Sequence, residues 1–161
     1  MRRIAVGAAA VFAVVLAGAS VALATPNTKV DLFQECAPDE VGCVDMAGPT
    51  GFGFVNFNQD SSGALRVVVS MKGVSPNATY HGFLVCGPTH SLVCGAGFVD
   101  IGTLVTNGHG NGNSGALSVS VATLQALGGS GPQQDHIDIL AGVGDNSAGS
   151  YTVTGVDFTV P

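Results

Sequence analysis

Tryptophan is absent from this 161-residue chain, and only two tyrosines are present. Sugar sites rely on stacking against exposed aromatic rings, so a carbohydrate-binding role has little support. Cations are also scarce, because two of the five Lys and Arg residues lie within the first three positions. After residue 24, three cations stand against eleven acids, a net charge of −8. Such a chain repels phosphate backbones and anionic lipid headgroups, which argues against nucleic-acid and membrane-surface partners.

Signatures of catalysis and of cofactor binding are missing as well. The chain has no C-x-x-C pair, no phosphate-binding G-x-x-x-x-G-K-[ST] loop and no nucleophile elbow. Gly110, Gly112 and Gly115 spell G-x-G-x-x-G, but a dinucleotide site needs that motif between a strand and a helix. A strand alternating with serines follows here, so we interpret the motif as a turn. The sequence predicts no cofactor and no enzymatic activity.

Residues 1–24 have the three parts of a secretory signal peptide. Two arginines form the charged start, an Ala- and Val-rich run follows to Ala19, and Ala-Leu-Ala matches the A-x-A cleavage pattern before Thr25. A transmembrane helix needs about 20 apolar residues, whereas this run is shorter and ends in small residues. We therefore expect cleavage and secretion, with no membrane partner afterwards.

The rest of the chain alternates between strand patterns and turns. Leu65, Val67, Val69 and Met71 recur at every second position, which is the period of a strand. Segments rich in Gly, Asn, Ser and Pro separate such runs. The patterns predict strands at 51–58, 65–72, 79–86, 98–106, 117–121, 136–140 and 151–160, and one helical turn at 123–127.

This pattern favours an all-β fold: a two-sheet antiparallel immunoglobulin-like sandwich of about seven or eight strands, with a small closed β-barrel as the alternative. The strands at 65–72 and 79–86 are expected to pair with each other. Residues 107–115 are expected to form a hairpin connection and 128–134 a loop. A β-bulge at Gly155 would point both Val153 and Val156 inward. Residues 25–50 are expected to be a loop-rich arm, and 51–161 the sandwich.

Four cysteines in a secreted chain indicate a disulfide framework, and three pairings are possible. Local pairing of Cys36 with Cys43 and of Cys86 with Cys94 is our prediction, because each pair closes a short loop containing Pro or Gly. Each bridge would stabilise the chain by roughly 2–3 kcal/mol. Zinc sites favour two to four residues between paired cysteines, and six and seven are found here.

Two polar groups are candidates for a cation site. His136 and Asp138 share one face of the strand at 136–140, beside Asp135 and with Asp145 as a further possible ligand. We interpret this group as a solvated outer sheet face. The second group is an acidic cluster that offers oxygen ligands for calcium without the EF-hand spacing, and we interpret it as a solvated loop; it consists of Glu35, Asp39, Glu40 and Asp45.

The segment KGVSPNATYHGFLV at 72–85 resembles the strand–turn–strand corner of fibronectin type III and related immunoglobulin-like domains. Val74, Pro76, Thr79 and Tyr80 match that pattern. The resemblance implies a sandwich corner in which the tyrosine hydroxyl returns to the turn. Together with IGTLVTNGHGNGNSG at 101–115 and the final TGVDFTV, it is similar to small secreted bacterial β-sandwich proteins, which implies a fold and a compartment but no activity.

A second resemblance lies in His81-Gly82-Phe83, which is similar to the start of the HGFHVH strand of copper–zinc superoxide dismutases. Leu84 and Cys86 occupy the positions of that family's two ligand histidines. Such a site needs several imidazoles and a second His/Asp cluster. The histidines of this chain show no ligand-like pair spacing; they are His81, His90, His109 and His136.

These observations favour a secreted, non-catalytic β-sandwich module with a structural or binding role outside the cell. Its partner would be an extracellular protein or, in a self-assembling coat or adhesion subunit, further copies of the chain. The alternative function is a metal-binding extracellular protein distantly like copper–zinc superoxide dismutase. That alternative requires at least three ligands to converge from His81, His136, Asp138 and Asp145.

Overall fold

The computed structural model describes residues 26–34, 52–87, 97–141 and 149–161. No helix within these ranges has the length and apolar character needed to cross a membrane. The ranges contain ten strands and one helix: β1 (Thr28–Asp31), β2 (Phe33–Gln34), β3 (Gly53–Gln59), β4 (Leu65–Met71), β5 (Thr79–Val85), β6 (Phe98–Val105), β7 (Gly112–Asn113), β8 (Leu117–Val119), α1 (Val121–Gly128), β9 (Gly131–Leu140) and β10 (Tyr151–Val160).

The strands form two antiparallel five-stranded sheets. Sheet A has the order β1-β3-β4-β7, with β8 also paired to β4, and sheet B has the order β2-β10-β9-β5-β6. The apolar inner faces of both sheets meet in one core. This arrangement confirms the all-β two-sheet sandwich and not the closed barrel.

Strand β4 shows how the sequence builds that core. Leu65, Val67, Val69 and Met71 are all buried, as their alternation predicted, while Arg66 between them is exposed. Burying a side chain of this size contributes about 1.5–3 kcal/mol. The inner face of sheet B supplies further buried apolar side chains, among them Ile137, Ile139 and Val153, so each sheet covers the other.

The predicted pairing of the strands at 65–72 and 79–86 is wrong. Strand β4 pairs with β3, β7 and β8, whereas β5 pairs with β6 and β9. The turn between β4 and β5 therefore crosses from sheet A to sheet B. In this turn the hydroxyl of Tyr80 accepts a hydrogen bond of 3.2 Å from the backbone N–H of Ser75. The contact confirms the tyrosine corner that the fibronectin-like pattern implied.

Two more connections differ from the expectation. Residues 107–115 contain β7 and lead from sheet B to sheet A, so they are not a hairpin connection. Residues 131–134 are not a loop, because they pair with Asp157–Val160 of β10. Pro132 fits this strand because β5 pairs only with residues 136–140 of β9, which leaves Pro132 at a sheet edge, where a missing N–H is tolerated.

The first described segment belongs to both sheets. Residues 28–34, which were expected to lie in a loop-rich arm, form β1 against β3 and β2 against β10. Leu32, between these two strands, is buried in the core. The segment therefore changes sheets along one side of the sandwich.

Helix α1 begins where the sequence offers an N-cap. The hydroxyl of Ser120 accepts a hydrogen bond of 3.2 Å from the backbone N–H of Thr123. Leu124 and Leu127 are buried beneath the helix. The short helical turn expected at 123–127 is confirmed and is slightly longer.

The β-bulge expected at Gly155 is also confirmed. The register of β10 shifts between Val153 and Val156, and both valines are fully buried. Gly155 has a φ of 74°, in the left-handed region that favours glycine. Gly110, in the crossing before β7, has the same φ of 74° as Gly155. The two glycines differ in their surroundings, since a Cβ at Gly155 would meet open space and one at Gly110 would overlap the Val74 carbonyl.

Gly155→Ala is expected to lower the free energy of unfolding by about 1 kcal/mol, from backbone strain alone. Gly110→Ala carries the same strain plus the overlap with Val74, so its loss should be about 2–4 kcal/mol. Urea unfolding of both variants measures the difference. Equal losses would mean that the crossing does not pack tightly against Val74.

Tyr80→Phe is expected to lower the free energy of unfolding by about 1–2 kcal/mol, since it removes the hydrogen bond to Ser75 without opening a cavity. Tyr80→Phe should also lower the pKa of Tyr151. Burial first, and then the contact with Tyr80, raise that pKa to about 12. Ultraviolet titration of the phenols measures the shift, and a Tyr151 that titrates as before would contradict the contact.

Candidate functional site

The central polar group lies on β9, which runs between β10 and β5 in sheet B. Ile137 and Ile139 point into the core and are fully buried. Asp135 shares their face under the period of a strand, and His136 and Asp138 lie on the opposite, outer face. The predicted shared face of His136 and Asp138 is therefore confirmed.

The interpretation of His136 as a solvated residue is wrong. Its exposed fraction is 1%, and that of Thr152 beside it in sheet B is also 1%. Two other outer-face residues, Phe83 and Val85 on β5, are buried too. The period of two gives the face of a side chain correctly, but the part of this outer face around His136 is buried.

Asp135 and His136 both hold the backbone of Gly87, the residue two positions after β5. The Oδ1 atom of Asp135 accepts a hydrogen bond of 3.2 Å from the N–H of Gly87. The Nδ1 atom of His136 lies 2.6 Å from the carbonyl oxygen of the same glycine. A carbonyl oxygen can only accept, so this contact assigns the proton to Nδ1. We call these three residues the Gly87 clamp.

The other side of His136 faces a carboxylate. Its Nε2 atom lies 3.5 Å from Oδ2 of Asp138, which is mostly buried. The Oδ1 atom of Asp138 accepts a hydrogen bond of 2.9 Å from the hydroxyl of Thr152 on β10. The two ring nitrogens of His136 therefore face a backbone carbonyl oxygen on one side and a carboxylate on the other.

Burial raises the pKa of Asp135 above its usual value. The hydrogen bond from Gly87 and the charge of His136 act in the opposite direction and are smaller. The carboxylate thus lies in a place where its charged form is disfavoured, although it has a hydrogen-bond donor. Asp135 therefore links β9 to Gly87, but its ionisation at neutral pH lowers the free energy of unfolding.

His81, on the neighbouring strand β5, does not join this group. It pairs in register with Leu140, and its Nδ1 atom lies 3.8 Å from Oδ2 of Asp100 on β6. That nitrogen is buried and has no hydrogen-bond partner among the described residues. Across those ranges, no three His, Cys, Asp or Glu side chains form a group that could hold a metal ion.

The positions of Leu84 and Cys86 show whether this chain could bind copper as the superoxide dismutase resemblance implies. Leu84 and Cys86 stand where that family has histidines, and both are fully buried in the core. Leucine offers no ligand atom, and Cys86 is not a free thiol. These residues do not fit a copper site of that kind.

The remaining sequence candidates divide into two sets. His109 is exposed in the crossing between sheets, where its backbone N–H donates to the Asn107 side chain. Gly110 and Gly112 belong to the same crossing, as the turn interpretation of their motif expects. The other candidates lie outside the described residues: His90, Asp145, Cys36, Cys43, Cys94, and the acidic cluster Glu35, Asp39, Glu40 and Asp45. Both disulfide pairings therefore stay predictions.

Comparison with known proteins gives one distant structural likeness. No protein-family model and no curated protein matches the chain. Among solved structures, the chain is similar to the Cu/Zn superoxide dismutase from Brucella abortus, with 13% sequence identity and a TM-score of 0.46. The match covers 84% of this chain and 100% of that one. We transfer no residue role from it.

Asp135→Asn tests the electrostatics of the Gly87 clamp. Because the folded protein holds the Asp135 proton to a higher pH than the unfolded chain does, the contribution of Asp135 to stability should fall as the pH rises above about 4. Asparagine keeps an oxygen for Gly87 and cannot ionise, so its advantage over wild type should grow with pH. Urea unfolding between pH 3 and pH 7 measures this.

The exposed Asp157 supplies the control, because Asp157→Asn makes the same change of charge away from the clamp. The effect of Asp135→Asn at each pH is read relative to this control. A curve for Asp135→Asn that runs parallel to that of the control would show that Asp135 is not penalised by burial.

Proposed function

We propose that the protein is a secreted, non-catalytic β-sandwich module with a structural or binding role outside the cell. The observation that carries this proposal is the internal use of the polar atoms on β9. Asp135 and His136 bond to the backbone of Gly87, and Asp138 accepts from Thr152. Groups bonded in this way position the chain, whereas a catalytic group has to reach a substrate.

The compartment is part of the same proposal. Residues 1–24 carry the pattern of a cleaved signal peptide. Four cysteines in a mature chain of this size fit the oxidising environment outside the cell. Cys86, which is fully buried, is not a free thiol.

A second candidate function has one specific observation in its favour. His136 and Asp138 approach each other to 3.5 Å on one sheet face, and these are residue types that bind zinc and copper. Such a site needs at least one more ligand. Asp145, the further ligand that the sequence offers, lies outside the described residues, and His81 is partnered with Asp100 instead.

Native mass spectrometry of the secreted protein, with elemental analysis, separates the two functions. We expect a chain that begins at Thr25, a mass lower than the reduced chain by the hydrogens of two disulfides, and no copper or zinc in molar proportion. One metal ion per chain, lost in both His136→Ala and Asp138→Ala but kept in Asp157→Asn, would instead establish the metal-binding function. A chain that retains residues 1–24 would contradict secretion by cleavage.

A further inference from the structure

The outer face of β6 exposes two large apolar side chains. Phe98 is 59% exposed and Val105 is 62% exposed. In register with β5, Phe98 lies opposite Val85 and Val105 lies opposite Thr79, so both share the outer face of sheet B. A bulge at Ile101 places Asp100 and Thr103 between them on the same face. We call Phe98, Asp100, Thr103 and Val105 the β6 patch.

Aromatic rings beneath the patch hold one end of it in place. The ring of Phe98 packs edge-on against Phe83, with centroids 5.3 Å apart. Phe83 is itself buried, and its ring stacks on that of His81 at 6.3 Å. Because Phe98 rests on a buried ring, binding through it loses little side-chain entropy.

Sheet A covers the inner face of β6. A Cβ at Gly112 of β7 would come within 2.8 Å of the Val105 carbonyl oxygen, and one at Gly102 would come within 2.9 Å of the Leu117 side chain. The outer face of β6, which carries the β6 patch, is the face that remains open to a partner.

Charge is divided unequally between the two sheets. After residue 24 the cations are Lys29 in β1, Arg66 in β4 and Lys72 directly after β4, all on the sheet A side. The strands of sheet B contain no lysine or arginine. At the centre of the patch, the side chain of Asp100 is 55% exposed. Its Oδ1 atom accepts from the N–H of Gly102 at 2.8 Å, which fixes the carboxylate between the two apolar side chains.

We propose that the β6 patch docks an extended segment of a partner protein in which a lysine or arginine lies between two apolar side chains. The proposal rests on the proposed binding role. The cation complements Asp100, and the two apolar side chains cover Phe98 and Val105. From one end of the patch to the other is about 20–23 Å at the rise of a strand, which a segment of about seven residues spans. A second copy of the chain is a poor occupant, because a net charge of −8 repels its own kind.

The probe is a synthetic seven-residue peptide, acetylated and amidated, with the order Phe-Thr-Lys-Thr-Thr-Thr-Val. Its first, third and seventh side chains match Phe98, Asp100 and Val105. Titration into the ¹⁵N-labelled mature protein is followed by NMR. We expect amide shifts concentrated in residues 98–105 and in Phe83 beneath them. A peptide with Glu in place of Lys should bind at least tenfold more weakly.

Variants of the protein test the same contacts from the other side. Asp100→Asn should weaken binding about 3–10-fold, and the double change Phe98→Ser with Val105→Ser should abolish it. Asp157→Asn on β10 and Phe54→Ser on β3 are the controls, because they make the same kinds of change on strands that are not paired with β6, and both should bind as wild type does. Thermal unfolding confirms that each variant is folded.

Several outcomes would overturn the proposal. Peptide-induced amide shifts that lie outside the β6 patch, or no shifts in the patch at millimolar peptide, would contradict it. Equal affinities for the Lys and Glu peptides would contradict it as well. Concentration-dependent dimers that disappear in the Phe98→Ser, Val105→Ser protein would show that a second copy occupies the patch instead. A metal ion per chain in the mass spectrum, lost in the His136 and Asp138 variants, would replace the proposed function with the metal-binding one while leaving these peptide results as they are, so the two failures are distinguishable.

Discussion

The burial of two apolar sheet faces against each other is the constraint on which the rest of this sandwich depends. Val67 and Val69 of β4 are fully buried, and so are Ile137 and Ile139 of β9 on the other side. Neither sheet has another way to remove these side chains from water. The turns, crossings and polar contacts are arranged so that the two faces stay opposed.

Keeping the faces opposed requires the chain to change sheets several times, and three of the described crossings are held by a specific contact. Tyr80 returns its hydroxyl to Ser75 after β4. The crossing after β6 packs Gly110 against the backbone of Val74. On the opposite side Leu32 is buried where the chain passes from β1 to β2. Such local contacts carry modest energies, about 1 kcal/mol for a hydrogen bond, and they hold each crossing in place once the sheets have packed.

The difference between local patterns and strand neighbours explains what could be predicted from the sequence. Alternation in β4 and the bulge at Gly155 are local patterns, so the inward faces were correct. The neighbour of a strand is not a local property. A turn such as GVSPN permits either a hairpin or a crossing, and the choice follows from whole-sheet packing. The same reason accounts for β9, whose first residues lack a strand pattern and become a strand only by pairing with β10.

The polar residues on β9 could also be predicted from the sequence only in part. Their shared face follows from the period of two, but their burial does not, and Thr152 and Gly87 enter the site only through tertiary contacts. Nothing in the local sequence around Gly87 marks it as the residue that two side chains of β9 would hold.

Sheet B also separates two kinds of polar surface. His136 and Asp138 on β9 are buried and bonded to neighbouring strands, whereas Asp100 on β6 is half exposed between two exposed apolar side chains. A buried charged group contributes to a structure only while its partners stay in place. The Asp100 carboxylate is held by the N–H of Gly102 and remains accessible to solvent. The polar groups of sheet B therefore change from internally bonded on β9 to exposed on β6 within two strands.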